Sequence, residues 1–326
     1  VTVGELAVEV LLDEDDLLEA MRADVARGLT APQKRISPVW FYDEEGSRLF
    51  EEITQLDEYY PTRAERALLV AHAAEIAALA QADTLVELGA GVLEKSRLLL
   101  DAMAARGELR RYIPFDVSEA FLVQAAKELF DEYEGLDVTA VVGDFHRNLG
   151  DIPRDGRRLV AFLGGTIGNL EPSERRRFFA DVRSTMGPDD AFLLGTDLVK
   201  DTSRILAAYN DSAGVTAEFN LNALRVLNAR LGADFVCERF EHVAIWNETE
   251  AWIEMRLRST QHQVVHVTGL GLEVEFEEGE ELLTEISAKF TPTGIAAELG
   301  SAGMTVEDAF GVDEGGDFLL SVAVNH

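Results

Sequence analysis

Thr84-Leu85-Val86-Glu87-Leu88-Gly89-Ala90-Gly91 reads as a buried β-strand running straight into a glycine turn. Glycine lets a backbone turn tightly and approach a ligand closely. The next strand-like run ends in Phe115-Asp116-Val117-Ser118, and a third ends in Gly143-Asp144-Phe145. In a parallel sheet an acid at the end of the second strand can accept hydrogen bonds from ribose hydroxyls. An acid followed by an aromatic ring, at the end of the third, suits an adenine amino group and its ring face. The three strand ends together predict a parallel α/β sheet holding an adenosyl group.

Outward from this turn the chain alternates. Strands are expected at 84–88, 111–116, 138–143, 158–163 and 190–197, with helices at 93–106, 118–133 and 172–186 between them. This order argues for parallel strands joined by right-handed crossovers. Pro172 suits the first turn of its helix, and Gly187-Pro188 stops it. After Asp197 the rhythm breaks. Residues 200–232 are helical in pattern, and 240–246, 252–259, 264–267, 272–276 and 282–287 read as antiparallel strands. The alternation is clearest in Trp252-Ile253-Glu254-Met255-Arg256-Leu257-Arg258. A helix at 291–300 and strands at 304–312 and 318–324 then resume the α/β pattern. Before the first sheet strand, helices are expected at 13–28, 44–54 and 62–81.

The turn narrows the ligand. Glu87-Leu-Gly89-Ala-Gly91-Val-Leu-Glu-Lys95 lacks the third glycine of a dinucleotide fingerprint, which counts against NAD or FAD. Glu-x-Gly-x-Gly after a first strand suits S-adenosylmethionine, whose amino-acid end faces the turn backbone. Taken singly, each position has a plainer reading. Tight turns use glycine with no ligand present, and Asp116 and Asp144 both suit helix N-caps. Three such positions at the carboxyl ends of three successive strands point to a ligand. Lys95, in the first turn of the next helix, is either a partner for the methionine carboxylate or a solvated surface lysine. The fourth strand ends in Phe162-Leu-Gly164-Gly165-Thr-Ile-Gly168-Asn169-Leu170. Asn169 there is placed to touch a methyl acceptor, or to cap the next helix.

Composition excludes several classes. The 326 residues, 47% apolar, suffice for one large domain or two ordinary ones. With 29 basic and 60 acidic side chains the formal charge is −31, a surface that repels nucleic-acid phosphates and anionic lipid. No nucleic-acid or membrane partner is expected. Cys237 is the only cysteine, which rules out an internal disulfide and suits a reducing, cytoplasmic setting. The acidic first 25 residues show no signal peptide, and Val1 in place of Met suggests trimming. His146, His242, His262 and His266 form no recognised ligand pattern, so no metal is expected.

The chain resembles the histidine Nα-methyltransferases of ergothioneine biosynthesis, which form hercynine, nearly end to end. The resemblance rests on Tyr59-Tyr-Pro-Thr-Arg-Ala-Glu65, Glu87-Leu-Gly-Ala-Gly91, Phe162-Leu-Gly-Gly-Thr-Ile-Gly-Asn169 and Gly195-Thr-Asp-Leu-Val-Lys-Asp201. It continues through Ala208-Tyr-Asn-Asp211, Thr216-Ala-Glu-Phe-Asn220, Ile253-Glu-Met-Arg-Leu-Arg258 and Thr284-Glu-Ile-Ser-Ala-Lys-Phe290. Val92-Leu93 departs from it, where small polar residues are expected after the second glycine. The resemblance implies an α/β class I S-adenosylmethionine-dependent methyltransferase: a Rossmann-like seven-stranded sheet with an inserted α+β substrate-binding domain. The cofactor-binding domain is expected at 65–197 plus 290–326, and the substrate domain at 1–64 plus 198–289.

It also implies the site. Cofactor contacts fall on Gly89, Lys95, Asp116, Asp144 and Phe145, and contacts to L-histidine on Tyr59, Gly164, Asn169, Tyr209, Met255, Glu285 and Ser287. The chemistry fits these assignments. Asn169 offers donor and acceptor atoms to an α-amino and α-carboxylate pair, and Tyr209 can donate to the carboxylate without adding charge. Glu285 can accept from an imidazole N–H while Ser287 serves the other ring nitrogen, and a spacing of two puts both on one face of a strand. Met255 lines the ring pocket or simply packs the core. Tyr42 and Tyr59 are expected to border the amine and pass its proton through water. A monomer is expected. The rival expectations are methylation of another amino acid or amine such as tryptophan, a nicotinamide oxidoreductase, and a non-catalytic adenosyl sensor.

Overall fold

The computed structural model describes residues 4–91, 93–145, 147–311 and 316–325. Val92, His146 and Val312 fall outside the described residues. From the N-terminus the elements run β1 (Leu6–Val10), α1 (Glu14–Leu29), α2 (Glu44–Gln55), α3 (Tyr60–Ala80), β2 (Thr84–Leu88), α4 (Leu93–Ala105), β3 (Arg111–Asp116), α5 (Glu119–Glu132), β4 (Asp137–Val142), β5 (Arg158–Phe162), α6 (Pro172–Thr185) and β6 (Ala191–Asp197). They continue with α7 (Thr202–Ala208), α8 (Val215–Leu231), β7 (Phe240–Asn247), β8 (Trp252–Ser259), β9 (Gln263–Val267), β10 (Leu272–Phe276), β11 (Glu281–Ala288), α9 (Pro292–Ser301), β12 (Met304–Phe310) and β13 (Phe318–Asn325). Two units result: Val1–Asp13, Ala64–Leu198 and Phe290–His326 form the first, and Glu14–Arg63 with Val199–Lys289 the second.

The first unit is built on one sheet. Among the described residues it has eight strands in the order β1-β4-β3-β2-β5-β6-β13-β12. β1 through β6 pair in parallel, and β13 runs antiparallel to both β6 and β12. Every residue of β2 and β5 is buried, as strands covered on both faces must be. Strand order reverses beside β2: the chain passes first to β3 on one side and later to β5 on the other. Ligands of such sheets bind at the carboxyl ends of strands beside this reversal. The seven expected strands are present, and β1 is an eighth. Residues 1–64 are expected from sequence to join the second domain whole. Leu6–Val10 instead lies parallel to β4, with Leu6 opposite Val138 and Val10 opposite Val142. Its side chains are largely exposed although the strand is mostly apolar, so backbone pairing holds it there.

In the second unit β11, β8 and β7 form a three-stranded antiparallel sheet, and β9 and β10 a separate hairpin. The helical stretch expected at 200–232 is two helices. The first ends at Ala208. Gly214, at φ +77°, precedes the second, and the Asp211 carboxylate starts it by accepting from the Val215 and Thr216 N–H groups at 3.0 and 2.7 Å. Phe41, Phe219, Leu224, Leu227, Ile253, Leu257 and Leu282 fill the core. One irregularity sets which side two of the side chains take. The pairing of β11 with β8 slips between Leu283 and Glu285, so Leu283 faces Arg256 but Glu285 faces Met255. An unbroken register would set Glu285 opposite Glu254, on the side where Arg256 pairs with Glu254 and Glu281. The bulge turns Glu285 and Ser287 to the other side.

Candidate functional site

The first unit gathers Gly89, Lys95, Asp116, Asp144, Phe145, Gly164 and Asn169 on the segments that follow its parallel strands. Gly89 takes φ +71°, and its N–H and that of Ala90 donate to the Phe115 carbonyl at 2.8 and 3.2 Å. A Cβ at Gly89 would meet nothing within 4 Å, and one at Gly91 only the Gly89 carbonyl at 4.0 Å. Protein packing does not demand a glycine at position 91. The open ground over the turn is a cradle of the kind a ligand's backbone contacts require, and S-adenosylmethionine fits it.

Asp116 ends β3. Its Oδ1 accepts from the Ser118 N–H at 3.0 Å. Burial pushes its carboxyl up to about 6, against the opposing pull of the Ser118 and Val117 N–H groups. When ionised it can accept from a diol. Asp144 follows β4, and the Phe145 ring stands edge-on to Phe162 and Phe178 at 5.7 and 5.6 Å. Asn169 does not cap α6: the Glu174 carboxylate accepts from the Glu171 N–H at 2.8 Å, and Pro172 opens the helix. No hydrogen bond to the Asn169 amide occurs among the described residues.

Lys95 is not a freely solvated surface lysine. Its Nζ pairs with Glu65 at 2.7 Å. Glu65 is fully buried, and its two carboxylate oxygens also accept from the Gly164 N–H at 2.8 and 3.0 Å. Gly195 makes room for it, since a Cβ there would lie 2.2 Å from Glu65 Oε1. Glu65 therefore fixes both the Lys95 ammonium and the loop after β5. The signal for it lay in α3: Glu65 falls on the same helical stripe as Leu68, Leu69 and Ile76, all buried. Glu87, under the glycine turn, is a second buried acid without an expected role. Its Oε2 accepts from Ser96 Oγ at 2.6 Å and from the Tyr112 hydroxyl at 2.7 Å. Burial raises its pKa while those donors oppose the rise.

The second unit gathers Tyr42, Tyr59, Tyr209, Met255, Glu285 and Ser287. The Tyr209 hydroxyl donates to Ser287 Oγ at 2.8 Å. Lys289, absent from the expected set, donates to both hydroxyls at 2.9 Å. Glu285 is buried, and no group among the described residues donates a hydrogen bond to its carboxylate. Burial pushes its pKa up to about 7, and the Lys289 charge opposes that. Met255 is buried directly opposite it. The Tyr59 ring lies 6.2 Å from that of Tyr209 and 6.2 Å from Phe50, which in turn lies 5.7 Å from Tyr42. Tyr59 is buried, whereas Tyr42 is 41% exposed. Phe50 links the two tyrosines, and nothing in the sequence singles it out from the other core aromatics.

Among the described residues one group of possible metal ligands occurs, His262 with Glu275 and Glu277, all exposed at the β9–β10 hairpin. His262 Nε2 lies 2.7 Å from Glu275, a surface ion pair. His242 serves the fold: its ring nitrogens meet the Tyr209 carbonyl and the Asn220 amide at 2.9 Å each, and burial lowers its pKa.

Known proteins bear on these residues. The sequence profile of the histidine-specific, S-adenosylmethionine-dependent methyltransferases matches residues 21–325. The histidine N-alpha-methyltransferase of Mycolicibacterium smegmatis is 53% identical over 319 residues, 98% of this chain and 99% of that protein. The Mycobacterium tuberculosis protein of the same name is 52% identical over 312 residues, 96% of this chain and 97% of its own. Ergothioneine biosynthesis protein 1 of Neurospora crassa is 33% identical over 204 residues, 61% of this chain and 23% of that much longer protein.

Proposed function

Because the chain belongs to the histidine-specific, S-adenosylmethionine-dependent methyltransferases, we propose that it methylates the α-amino group of L-histidine three times, to the betaine hercynine of ergothioneine biosynthesis. The observation that carries the choice of substrate is Glu285: a buried carboxylate with no donor among the described residues, beside a serine hydroxyl. A buried acceptor left unmatched is costly, and an imidazole N–H would answer it. An oxidoreductase has no use for this arrangement, and the glycine turn lacks a dinucleotide fingerprint.

S-adenosylmethionine supplies a methyl group on a sulfonium centre. Gly89 and Gly91 give its amino-acid end a backbone surface, Lys95 a cation for its carboxylate, Asp116 an acceptor for its ribose, and Asp144 with Phe145 a contact for its adenine. Gly164 and Asn169 take the charged end of the amino-acid substrate, with Tyr209 donating to its carboxylate. Glu285, Ser287 and Met255 read the ring. Reaction requires a neutral amine in line with carbon and sulfur. Orientation of that kind can lower a barrier by about 7–11 kcal/mol in favourable cases, so no covalent intermediate is needed. Tyr59 and Tyr42 relay the amine proton to water, a role supported by one ring being buried and the other reaching solvent. Their faces tolerate a growing methylammonium cation.

The reaction is metal-free and carried out by a cytoplasmic monomer on a small molecule, away from nucleic acid and membranes. The excess of acidic over basic groups, 60 against 29, counts against nucleic-acid and anionic-lipid partners, and no described helix is long and apolar enough to cross a membrane. Transfer from methyl-labelled S-adenosylmethionine to a panel of amino acids and amines tests the substrate. Histidine should be labelled far faster than tryptophan or histamine, and equal labelling of tryptophan contradicts the assignment.

A further inference from the structure

Lys289 is an ammonium buried among hydroxyls. It stands two residues beyond Ser287 and four beyond Glu285, a spacing that keeps all three on one side of an extended chain. Only 4% of it is exposed. Its Nζ donates to the Tyr209 hydroxyl and to Ser287 Oγ, each at 2.9 Å, and lies 4.7 Å from the centre of the Tyr209 ring. The Tyr209 hydroxyl donates to the same Ser287 oxygen at 2.8 Å.

A serine hydroxyl has two lone pairs and one hydrogen. Both lone pairs of Ser287 are engaged, one by an ammonium that can only donate and one by a phenol that itself accepts from that ammonium. The hydrogen of Ser287 is left, directed away from both. Two residues back, the Glu285 carboxylate can only accept while it is ionised. With Glu285 ionised, the strand thus presents one donor and one acceptor. A neutral imidazole carries the matching pair, one bare nitrogen and one N–H. An imidazolium carries two N–H groups, and an indole one N–H with no acceptor.

We propose that Lys289 is a positioning and specificity-determining residue. By occupying Ser287 from behind it makes that hydroxyl a donor, so that the pocket takes the substrate ring in one neutral tautomer, with its N–H toward Glu285. The inference rests on the histidine assignment above, and it gives each ring contact a direction that a set of contacting residues lacks. Without Lys289, Ser287 accepts as readily as it donates, and the pocket no longer distinguishes imidazole from imidazolium.

Nitrogen NMR of ring-labelled histidine, bound to the whole enzyme with S-adenosylhomocysteine at neutral pH, tests this. The native chain should show one pyridine-type and one pyrrole-type nitrogen. Lys289→Met should average the two signals or shift both to the pyrrole type. It should also raise KM for histidine about tenfold or more, the scale of a lost charged hydrogen bond, with a smaller change in kcat. Lys289→Arg, whose guanidinium again only donates, should restore the single tautomer. Two pyrrole-type nitrogens in the native complex overturn the proposal, whether or not either variant folds. So does Lys289→Met with an unchanged spectrum and KM. A native chain that binds no histidine at all overturns the substrate assignment along with it, and the titration that precedes the spectrum reveals this separately.

Discussion

Glu87 in the first unit and Glu285 in the second are both buried carboxylates whose protons are held more tightly than usual, and burial is the leading cause for each. They differ in their donors. Glu87 accepts from Ser96 and Tyr112, whereas no described group donates to Glu285. Glu87 closes a network that ties β2 to α4 and β3, so its charge serves the fold. Glu285 is largely withdrawn from water and has only the field of Lys289 to offset it. A protein tolerates an unanswered buried acid where a ligand answers it.

This contrast breaks first at Glu285. Glu285→Ala should weaken histidine binding by about 10- to 150-fold, the equivalent of about 1.5–3 kcal/mol for a hydrogen bond to a charged group, as read by calorimetry. Unchanged affinity removes Glu285 from the site. The same residue should act in the opposite sense on the empty protein. Its folded pKa of about 7 lies above the ordinary 4.5, so between those values the folded state holds a proton that the unfolded state has released. Stability should therefore fall as pH rises from about 4.5 to about 7, by up to roughly 3 kcal/mol. Glu285→Gln should remove that slope in denaturant titrations while still binding histidine poorly.

Glu87→Ala should show the reverse. It leaves two buried hydroxyl donors unmatched and should cost about 2–4 kcal/mol of stability, seen as a lower unfolding midpoint, with histidine affinity in the folded fraction preserved. Loss of histidine binding without loss of stability would dissolve the distinction between the two acids. Gly91→Ala sharpens the account of the first unit. The added methyl meets no protein atom closer than 4.0 Å, so stability should change by no more than about 0.5 kcal/mol. Cofactor affinity should drop by about tenfold, if backbone and ligand are as close there as the open turn suggests. Tyr59→Phe should lower the rate of methyl transfer by about tenfold, less than a full general base contributes, and leave cofactor binding intact. Equal rates for the two proteins exclude the relay.

What could be read beforehand follows the same division. β2 and β5 are covered on both faces, so they are apolar runs interrupted only by Thr84, Glu87 and Arg158, and the end of β5 discloses the loop bearing Gly164 as the end of β3 discloses Asp116. β1 is a mostly apolar run as well, but it pairs at the sheet edge with its side chains largely exposed, and nothing local says which unit it joins. The spacing of Glu285 and Ser287 was readable as one strand face. The bulge that decides which side that face takes was not, because it depends on how β11 meets β8. In the sequence Glu65 is one charge in a charged stretch, between Arg63 and Arg66, and Lys289 stands between Ala288 and Phe290. Their importance lies in partners distant along the chain: Gly164 is 99 residues from Glu65, and Tyr209 is 80 from Lys289. Local pattern cannot supply such pairings.

Mass spectrometry with fragmentation, on histidine incubated with S-adenosylmethionine and the purified chain, bears most directly on the whole account. Successive products with one, two and three methyl groups, all on the α-nitrogen, are the expected result. Histidine recovered unmodified, or methylated on a ring nitrogen, contradicts it.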